Sequence, residues 1–296
     1  MGNVLYWFSI NMKATAAFEK INMLILEEGG IMGISKRALF WGISIFLIVF
    51  PTFHAYANVS PSAEKQKTLK HFIQIAMEPV GETMYVWGGG WNKADTAAGI
   101  EALSIGVSPN WKAFYEKQDK HYDTKKAAYM IHNGLDCSGF IGWSLFNLIP
   151  NTQGYVMKSG VLTKTLAGYG WGAWYPKSTV KTHIAGDIMG MTGHVWISLG
   201  TCDDGSVLIL QSSPPGVSLY GTQSGNQKTK AVKLAENYIH KYYPGWYEKF
   251  PNCKRWSSYL TSYDMFRWNE KFLPDPDGYR KMSPEEILKD LFSENH

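Results

Sequence analysis

The segment GLDCSGF, residues 134–140, places Cys137 at the head of an apolar run that ends before Pro150. Large apolar residues recur in this run at helical spacing, so the pattern predicts a helix that begins at the cysteine. A thiolate there faces the positive end of the helix dipole, and a nearby imidazole completes the conditions that lower the pKa of a thiol. A cysteine taken alone is more often a small buried hydrophobe, so the nucleophile interpretation needs further residues.

A candidate base, His194, follows at the head of an apolar strand pattern. Alternating and apolar runs predict four strands, and Asp203-Asp204-Gly205 predicts a tight turn between the middle two. In such a hairpin His194 and Gln211 lie at the ends of antiparallel neighbours, which brings them side by side. A helix packed on this sheet would bring Cys137 to the same edge, in an α+β fold. The predicted strands are Asp187 to Met191, His194 to Leu199, Ser206 to Leu210 and Val217 to Tyr220.

Four segments in order resemble the NlpC/P60 family of cell-wall cysteine peptidases. They are YVWGG at residues 85–89, DCSGF at 136–140, the GDI step at 186–188 with HVWISLG at 194–200, and LILQSS at 208–213. The resemblance covers about residues 65 to 220. It implies a papain-like NlpC/P60 fold, in which an antiparallel sheet packs against a helix that carries the nucleophilic cysteine.

The resemblance implies a role for each matched residue. Cys137 would be the nucleophile, His194 the general base and then acid, and Gln211 the group that orients the imidazole. Family members usually have histidine at the last position, but a neutral amide can also hold a histidine tautomer through one hydrogen bond. Ser212 or Ser213 would take this place if the strand register were shifted by one residue.

Three further residues complete the expected site. The resemblance implies that Tyr85 lines the cleft, with its hydroxyl near the attacked carbonyl, and that Asp136 and Ser138 contact polar groups of the substrate. Asp136 precedes the predicted helix and is equally a helix-capping carboxylate, a role that can coexist with the first. The backbone amide of Cys137 or Ser138 is the expected oxyanion donor.

The resemblance implies a secreted bacterial cysteine endopeptidase that cleaves peptidoglycan stem peptides. The family implies the bond between the γ-carboxyl of D-glutamate and the diamino acid. An N-acetylmuramoyl-L-alanine amidase with the same dyad is an alternative. A non-catalytic cell-wall-binding protein with a degenerate site is another, suggested by Gln211 and by an insertion at 91–133.

The N-terminal region predicts export. Lys36-Arg37 precede an apolar run at 38–50, and Ala55-Tyr56-Ala57 ends it with small residues, which is typical of a signal peptide over 32–57. An uncleaved membrane anchor is the alternative. Glu27-Glu28-Gly29-Gly30 can be encoded by a ribosome-binding sequence ahead of Met32, so we expect residues 1–31 to be a non-native upstream extension. The expected location is extracytoplasmic and associated with the cell wall.

Residues 58–296 are expected to form one catalytic domain over 58–225, with a C-terminal extension over 226–296 packed on it. The insertion is rich in aromatic residues, which serve either as a wall beside the cleft or, as we favour, as packing for a helical decoration. A helix is expected over Lys65 to Met77. Ser283-Pro284-Glu285-Glu286 is typical of the start of a closing helix.

Several classes of function are excluded by composition and spacing. The chain has a net charge of +4 but no cluster of basic residues, so nucleic acid is not an expected partner. Gly88-Gly89-Gly90 lacks a following Gly-Lys-Ser/Thr and predicts a tight turn instead of a phosphate site. The other histidines and cysteines lack metal-ligand spacing, so no metal or cofactor is expected. Cys202 and Cys253 could pair, but two free thiols are the expectation.

Overall fold

The structure, a computed structural model, describes residues 67–293. The predicted signal peptide at 32–57 and the upstream extension at 1–31 lie outside these residues. Among the helices of residues 67–293, none has both the length and the apolar character needed to cross a membrane.

The described part of the chain contains seven α-helices and nine strands, together with three short 3₁₀-helices at Glu101–Leu103, Ile131–Asn133 and Ser257–Leu260. The helices are α1 (Leu69–Met77), α2 (Pro109–Glu116), α3 (Cys137–Leu148), α4 (Ser159–Gly168), α5 (Lys230–Tyr242), α6 (Pro244–Lys249) and α7 (Pro284–Ser293). The strands are β1 (Met84–Tyr85), β2 (Gly134–Leu135), β3 (Gly172–Tyr175), β4 (Ala185–Met191), β5 (His194–Thr201), β6 (Val207–Ser213), β7 (Gly216–Gln223), β8 (Lys254–Trp256) and β9 (Asp264–Trp268).

The nine strands form one sheet in the order β2-β1-β7-β6-β5-β4-β9-β3, with β8 also paired to β7. All pairs are antiparallel except β1 with β2 and β7 with β8. Segregated helices on a mostly antiparallel sheet confirm the predicted α+β class.

The four central strands occur where the sequence pattern places them, but each extends beyond at least one of its predicted ends. β6 runs on to Ser213, three residues beyond the predicted end at Leu210. Gln211 and Ser212 at this end are completely buried polar residues. An apolar pattern does not include such residues, because their burial depends on hydrogen bonds to other parts of the chain.

Helix α3 begins at Cys137 as predicted, and the caps explain why. Asp136 has extended backbone geometry, and its Oδ1 accepts the backbone N–H of Gly139 at 2.7 Å. Every residue of the helix except Asn147 is buried, so α3 lies in the centre of the fold. The closing helix predicted to start at Ser283-Pro284-Glu285-Glu286 also forms, with a capping box in which Ser283 and Glu286 each accept the backbone N–H of the other.

Residues 150–183 contain two elements that sequence patterns do not indicate, α4 and β3. Helix α4 has Lys158 at its N-cap position, with no side-chain cap bond. Strand β3 pairs with β9, nearly a hundred residues later in the chain. Neither element has a local start signal, so its presence depends on tertiary packing.

The C-terminal extension contributes to the sheet itself. β9 lies between β4 and β3, and β8 runs parallel to the end of β7, where Thr222 pairs with Arg255. Helix α5 packs so tightly on β7 that a Cβ at Gly221 would lie 2.1 Å from the backbone nitrogen of Val232. Residues 226–293 are therefore part of the same core as the predicted catalytic region.

The insertion at 91–133 packs mainly against helices α3 and α6. Trp111 is fully buried and meets the ring of Trp143 edge-on at 5.7 Å, while Tyr115 packs against Trp246 with ring centroids 5.5 Å apart. These contacts agree with the favoured interpretation of a packed decoration. Trp91 at its start lies instead in the cleft described below.

Candidate active site

The Cys137 thiol lies against the start of β5. Its Sγ is 4.0 Å from the carbonyl oxygen of Gly193, and the backbone N–H of Val195 donates to the sulfur. These two residues flank His194, so the helix start and the strand start meet at this histidine. The sequence patterns placed the two residues on separate elements, and the fold brings those elements together.

His194 has Gln211 as its hydrogen-bond partner, with the amide 2.7 Å from Nε2 of the ring. The register of β5 and β6 pairs Ile197 with Leu210, which places His194 and Gln211 diagonally on one face of the sheet. Ser212 faces the other way, since its hydroxyl donates to the carbonyl of Leu135 at 2.6 Å. Gln211 therefore takes the position beside the imidazole.

Three residues of the C-terminal extension complete the surroundings of His194, and no sequence signal pointed to them. Arg255 on β8 contacts the other end of the Gln211 amide, with Nε at 2.7 Å and Nη2 at 3.2 Å. The rings of Tyr259 and Tyr263 meet the imidazole edge-on, with centroids 5.8 and 6.1 Å away. These residues lie outside the segments that carry the family resemblance, and the pairing of β8 with β7 and of β9 with β4 brings them near.

In the resting site, the Cys137 thiol and the His194 imidazole are both neutral. Burial raises the pKa of the Cys137 thiol to about 12, the charge of Asp136 adds to this, and the backbone donors at the helix start only partly oppose it. Burial lowers the pKa of His194 to about 4, in spite of the Gln211 hydrogen bond, and the charge of Arg255 acts in the same direction as burial. The expectation of a lowered thiol pKa is therefore wrong, because desolvation of the buried sulfur outweighs the helix dipole.

Asp136 and Ser138 are engaged in holding the site together. The Asp136 carboxylate accepts from the N–H of Gly139, from the Ser138 hydroxyl at 2.8 Å and from the N–H of Gly88 at 3.2 Å. Trp91 donates its indole N–H to Ser138 Oγ at 3.1 Å. Burial raises the pKa of Asp136 to about 6, although its hydrogen bonds work against this shift. Both side chains thus join the start of helix α3 to the glycine turn at 88–90 and to Trp91 directly after it.

The turn at Gly88-Gly89-Gly90 forms as predicted. Gly88 and Gly90 have φ values of 84° and 89°, which favour glycine, and the N–H of Gly89 donates to Val86. A Cβ at Gly139 would lie 1.9 Å from the carbonyl oxygen of Gly89. The glycines therefore allow the backbone of the turn to touch the first turn of α3.

A cleft of about 390 Å³ opens above Cys137. Tyr85 is mostly buried in it, and burial together with the nearby Cys137 and Asp136 raises the pKa of its hydroxyl, which stays a neutral donor. Trp87 is half-exposed at the same cleft. The residues that line it are Tyr85, Trp87, Trp91, Asp95, Asp136, Cys137, Ser138, Lys158, Ser159, Gly160, Val161, Thr192 and Gly193.

Helix α4 provides one side of the cleft, which the sequence did not indicate. The Ser159 hydroxyl accepts the backbone N–H of Gly193 at 3.0 Å. This bond anchors the turn directly before His194. The start of α4 is therefore coupled to the position of the candidate base.

Within residues 67–293, no three His, Cys, Asp or Glu side chains are grouped so that they could hold a metal ion. Cys202 and Cys253 are both buried free thiols, as expected.

Comparison of the chain with models of protein families, with curated proteins and with solved structures gave no match. The functional argument therefore rests on the residues and the geometry described above.

Proposed function

We propose that this chain is a cysteine peptidase of the NlpC/P60 type that hydrolyses stem peptides of peptidoglycan outside the cytoplasm. The observation that carries the proposal is the meeting of Cys137, at the start of a buried helix, with the strand start that holds His194, itself hydrogen-bonded to Gln211. A thiol that lines a cleft, with an imidazole and an orienting amide buried behind it, provides the groups that nucleophilic hydrolysis of an amide needs.

The arrangement of elements supports the papain-like form of the α+β fold. The nucleophile starts helix α3, the base starts β5, and the orienting residue lies on the neighbouring strand β6. This is the layout that the four matched segments imply. Its extra parts are the insertion at 91–133 and the strands β8 and β9.

In the proposed reaction, His194 takes the thiol proton and the Cys137 sulfur attacks the carbonyl carbon of the peptide. Nε2 of the imidazole is occupied by Gln211, so the proton goes to Nδ1. The backbone N–H of Cys137 or Ser138 and the Tyr85 hydroxyl stabilise the oxyanion. His194 then protonates the leaving amine, and water releases the acyl group in the reverse sequence of proton transfers.

The proposed bond is the one between the γ-carboxyl of D-glutamate and the diamino acid, as the resemblance implies. Asp136 and Ser138 line the cleft, but their hydrogen bonds to the turn support a positioning role beside substrate contact. Export to the cell wall rests on the segment at 32–57. Nucleic acid, a metal and a cofactor have no part in this proposal.

One observation favours a second candidate, a non-catalytic wall-binding protein. The thiol and the imidazole are both neutral at rest, and Arg255 holds the amide that should orient the base. An amidase that cuts between muramic acid and L-alanine would use the same dyad, so it is distinguished by its products.

The test is incubation of the purified chain with sacculi, beside a Cys137→Ala variant, and identification of the released fragments by mass spectrometry. A new free amine on the diamino acid supports the endopeptidase, and one on L-alanine supports the amidase. A wild-type protein that binds sacculi but releases no more than Cys137→Ala would contradict the hydrolase proposal.

Cys202→Ala is the matched control, because Cys202 is also a buried free thiol but lies at a different cavity. We expect this variant to retain the wild-type rate. Loss of activity in both variants at unchanged thermal stability would indicate that the thiol of Cys137 has no special role.

A further inference from the structure

The Gln211 side chain lies between two groups that compete for its amide. One end of the amide is 2.7 Å from His194 Nε2, and the other is 2.7 Å from Arg255 Nε and 3.2 Å from Nη2. A guanidinium group has five N–H donors and no acceptor. The Gln211 oxygen must therefore face Arg255, because the opposite orientation would set amide donors against guanidinium donors.

This orientation determines where the imidazole carries its proton. With its oxygen on Arg255, the Gln211 amide presents an N–H to His194 Nε2, so this nitrogen must offer its lone pair. A neutral imidazole has one N–H, which then lies on Nδ1. The ring is neutral near pH 7, because burial lowers its pKa to about 4.

Arg255 is itself held firmly. Its guanidinium lies 3.6 Å from the centroid of the buried Tyr220 ring, and its Nη1 donates to the Lys254 carbonyl at 3.0 Å. Its backbone pairs with Thr222 in the sheet. Because stacking and strand pairing fix the charged Arg255 side chain, breaking its hydrogen bonds to the Gln211 oxygen is costly in free energy.

We infer that Arg255 is a positioning residue that keeps His194 in the Nδ1–H tautomer, a resting form that cannot accept the Cys137 proton. Nε2 is occupied by Gln211, and Nδ1 already carries hydrogen. Turnover requires the Gln211 amide to rotate, so that its oxygen accepts a hydrogen bond from Nε2–H. In that change Nδ1 gives one proton to water and Nε2 takes one, so the imidazole stays neutral.

Arg255 thereby restrains the proposed hydrolase. In the active orientation its guanidinium faces the NH₂ group of the Gln211 amide. This contact between two donors is unfavourable, so it opposes the orientation that each turnover needs. The effect on rate rests on the proposed function. The tautomer does not, because it follows from the contacts of His194, Gln211 and Arg255 alone.

The tautomer is tested by nitrogen NMR of the full-length chain labelled at histidine, near pH 7. The His194 ring signals are assigned by their loss in His194→Gln. In the wild type we expect an unprotonated Nε2 and a protonated Nδ1, whereas Arg255→Met should shift the ring towards Nε2–H. Arg255→Lys keeps a donor for the amide oxygen and should retain the wild-type tautomer.

The rate is tested with sacculi under the same conditions. Arg255→Met should release fragments about tenfold faster or more, since one charge-assisted hydrogen bond no longer opposes rotation of the amide. Lys254→Met removes a charge from the same strand without touching Gln211, so it should match the wild type. Far-UV circular dichroism and thermal unfolding show that the variants are folded.

A wild-type ring with Nε2–H would overturn the inference without any variant. An unchanged tautomer in folded Arg255→Met would also overturn it, as would slower cleavage of sacculi by that variant at wild-type stability. If the tautomer shifts as expected but no variant cleaves sacculi, the inferred role of Arg255 in setting the tautomer stands, and the proposed hydrolase is wrong.

Discussion

The Cys137 thiol combines two influences that act in opposite directions. It starts a helix and receives N–H groups from Val195 and from its own turn, which favours a thiolate. It is also buried beside the Asp136 carboxylate, which favours a thiol and prevails. The proposed nucleophile is thus formed when His194 removes the proton during the reaction, and it is not stored as an ion pair.

The pH dependence of alkylation tests this state. With the pKa of Cys137 raised to about 12, the reactive thiolate fraction is small at neutral pH and grows about tenfold for each unit of pH. We therefore expect the rate of Cys137 modification by iodoacetamide to rise steadily from about pH 6 to pH 9. Peptide mapping by mass spectrometry measures it, and also separates Cys137 from Cys202 and Cys253.

A thiolate–imidazolium pair would behave differently. Its alkylation rate would be high and nearly constant across neutral pH, with a fall only at acid pH. Such a plateau for Cys137 would contradict the neutral pair. The Cys137→Ala variant identifies the background from the other two thiols.

At the scale of the element, the start of α3 and the glycine turn form one unit. The turn approaches the helix so closely that Gly139 has no room for a side chain, since a Cβ would lie 1.9 Å from Gly89 O. Asp136 joins the same two parts through the N–H groups of Gly88 and Gly139. The position of Cys137 depends on this contact between backbones.

Gly139→Ala should therefore separate the turn from the helix. We expect a loss of about 2 kcal/mol or more in the free energy of unfolding, because the added methyl group meets rigid backbone. Cleavage of sacculi should fall by at least about tenfold, since the nucleophile moves. Urea unfolding followed by circular dichroism measures the first effect, and fragment release measures the second.

Gly168→Ala is the matched control for this change. Gly168 ends helix α4, and a Cβ there would meet nothing within 4 Å. Alanine at this place should leave stability unchanged or raise it by about 0.5 kcal/mol, because the unfolded chain loses freedom. Equal effects of the two substitutions would disprove the tight contact at Gly139.

At the scale of the whole molecule, the C-terminal extension is tied to the strand before His194. Asp187 on β4 is almost completely buried, and its carboxylate accepts two hydrogen bonds from Arg267 on β9, at 2.8 and 2.6 Å. Arg267 also donates to the carbonyl of Thr182. The Gly-Asp step that resembles the family is thus paired here with a residue outside the resemblance.

Arg267→Met should leave the Asp187 carboxylate buried without its counter-ion. We expect the free energy of unfolding to fall by about 3 kcal/mol or more, since an unpaired buried charge is costly. The double variant Asp187→Asn/Arg267→Met removes both charges and should recover part of the loss. Urea unfolding of the single and double variants tests this, and a double variant less stable than Arg267→Met would contradict it.

The sequence by itself determined the features that depend on neighbouring residues. The cap at Asp136, the glycine turn at 88–90, the box at Ser283 and Glu286 and the hairpin turn at 203–205 are all encoded within a few positions. Apolar periodicity likewise predicts helix α3 and the four central strands. These signals suffice for an α+β fold and for the pairing of His194 with Gln211, because a short hairpin limits the possible registers.

Only the tertiary structure decided the surroundings of these residues. Arg255 reaches Gln211 because β8 pairs with β7, and Arg267 reaches Asp187 because β9 lies beside β4. The helix position alone predicts a lowered thiol pKa, whereas burial by distant segments raises it. Desolvation and strand pairing both depend on contacts between residues that are far apart in the chain, so local sequence patterns do not reveal them.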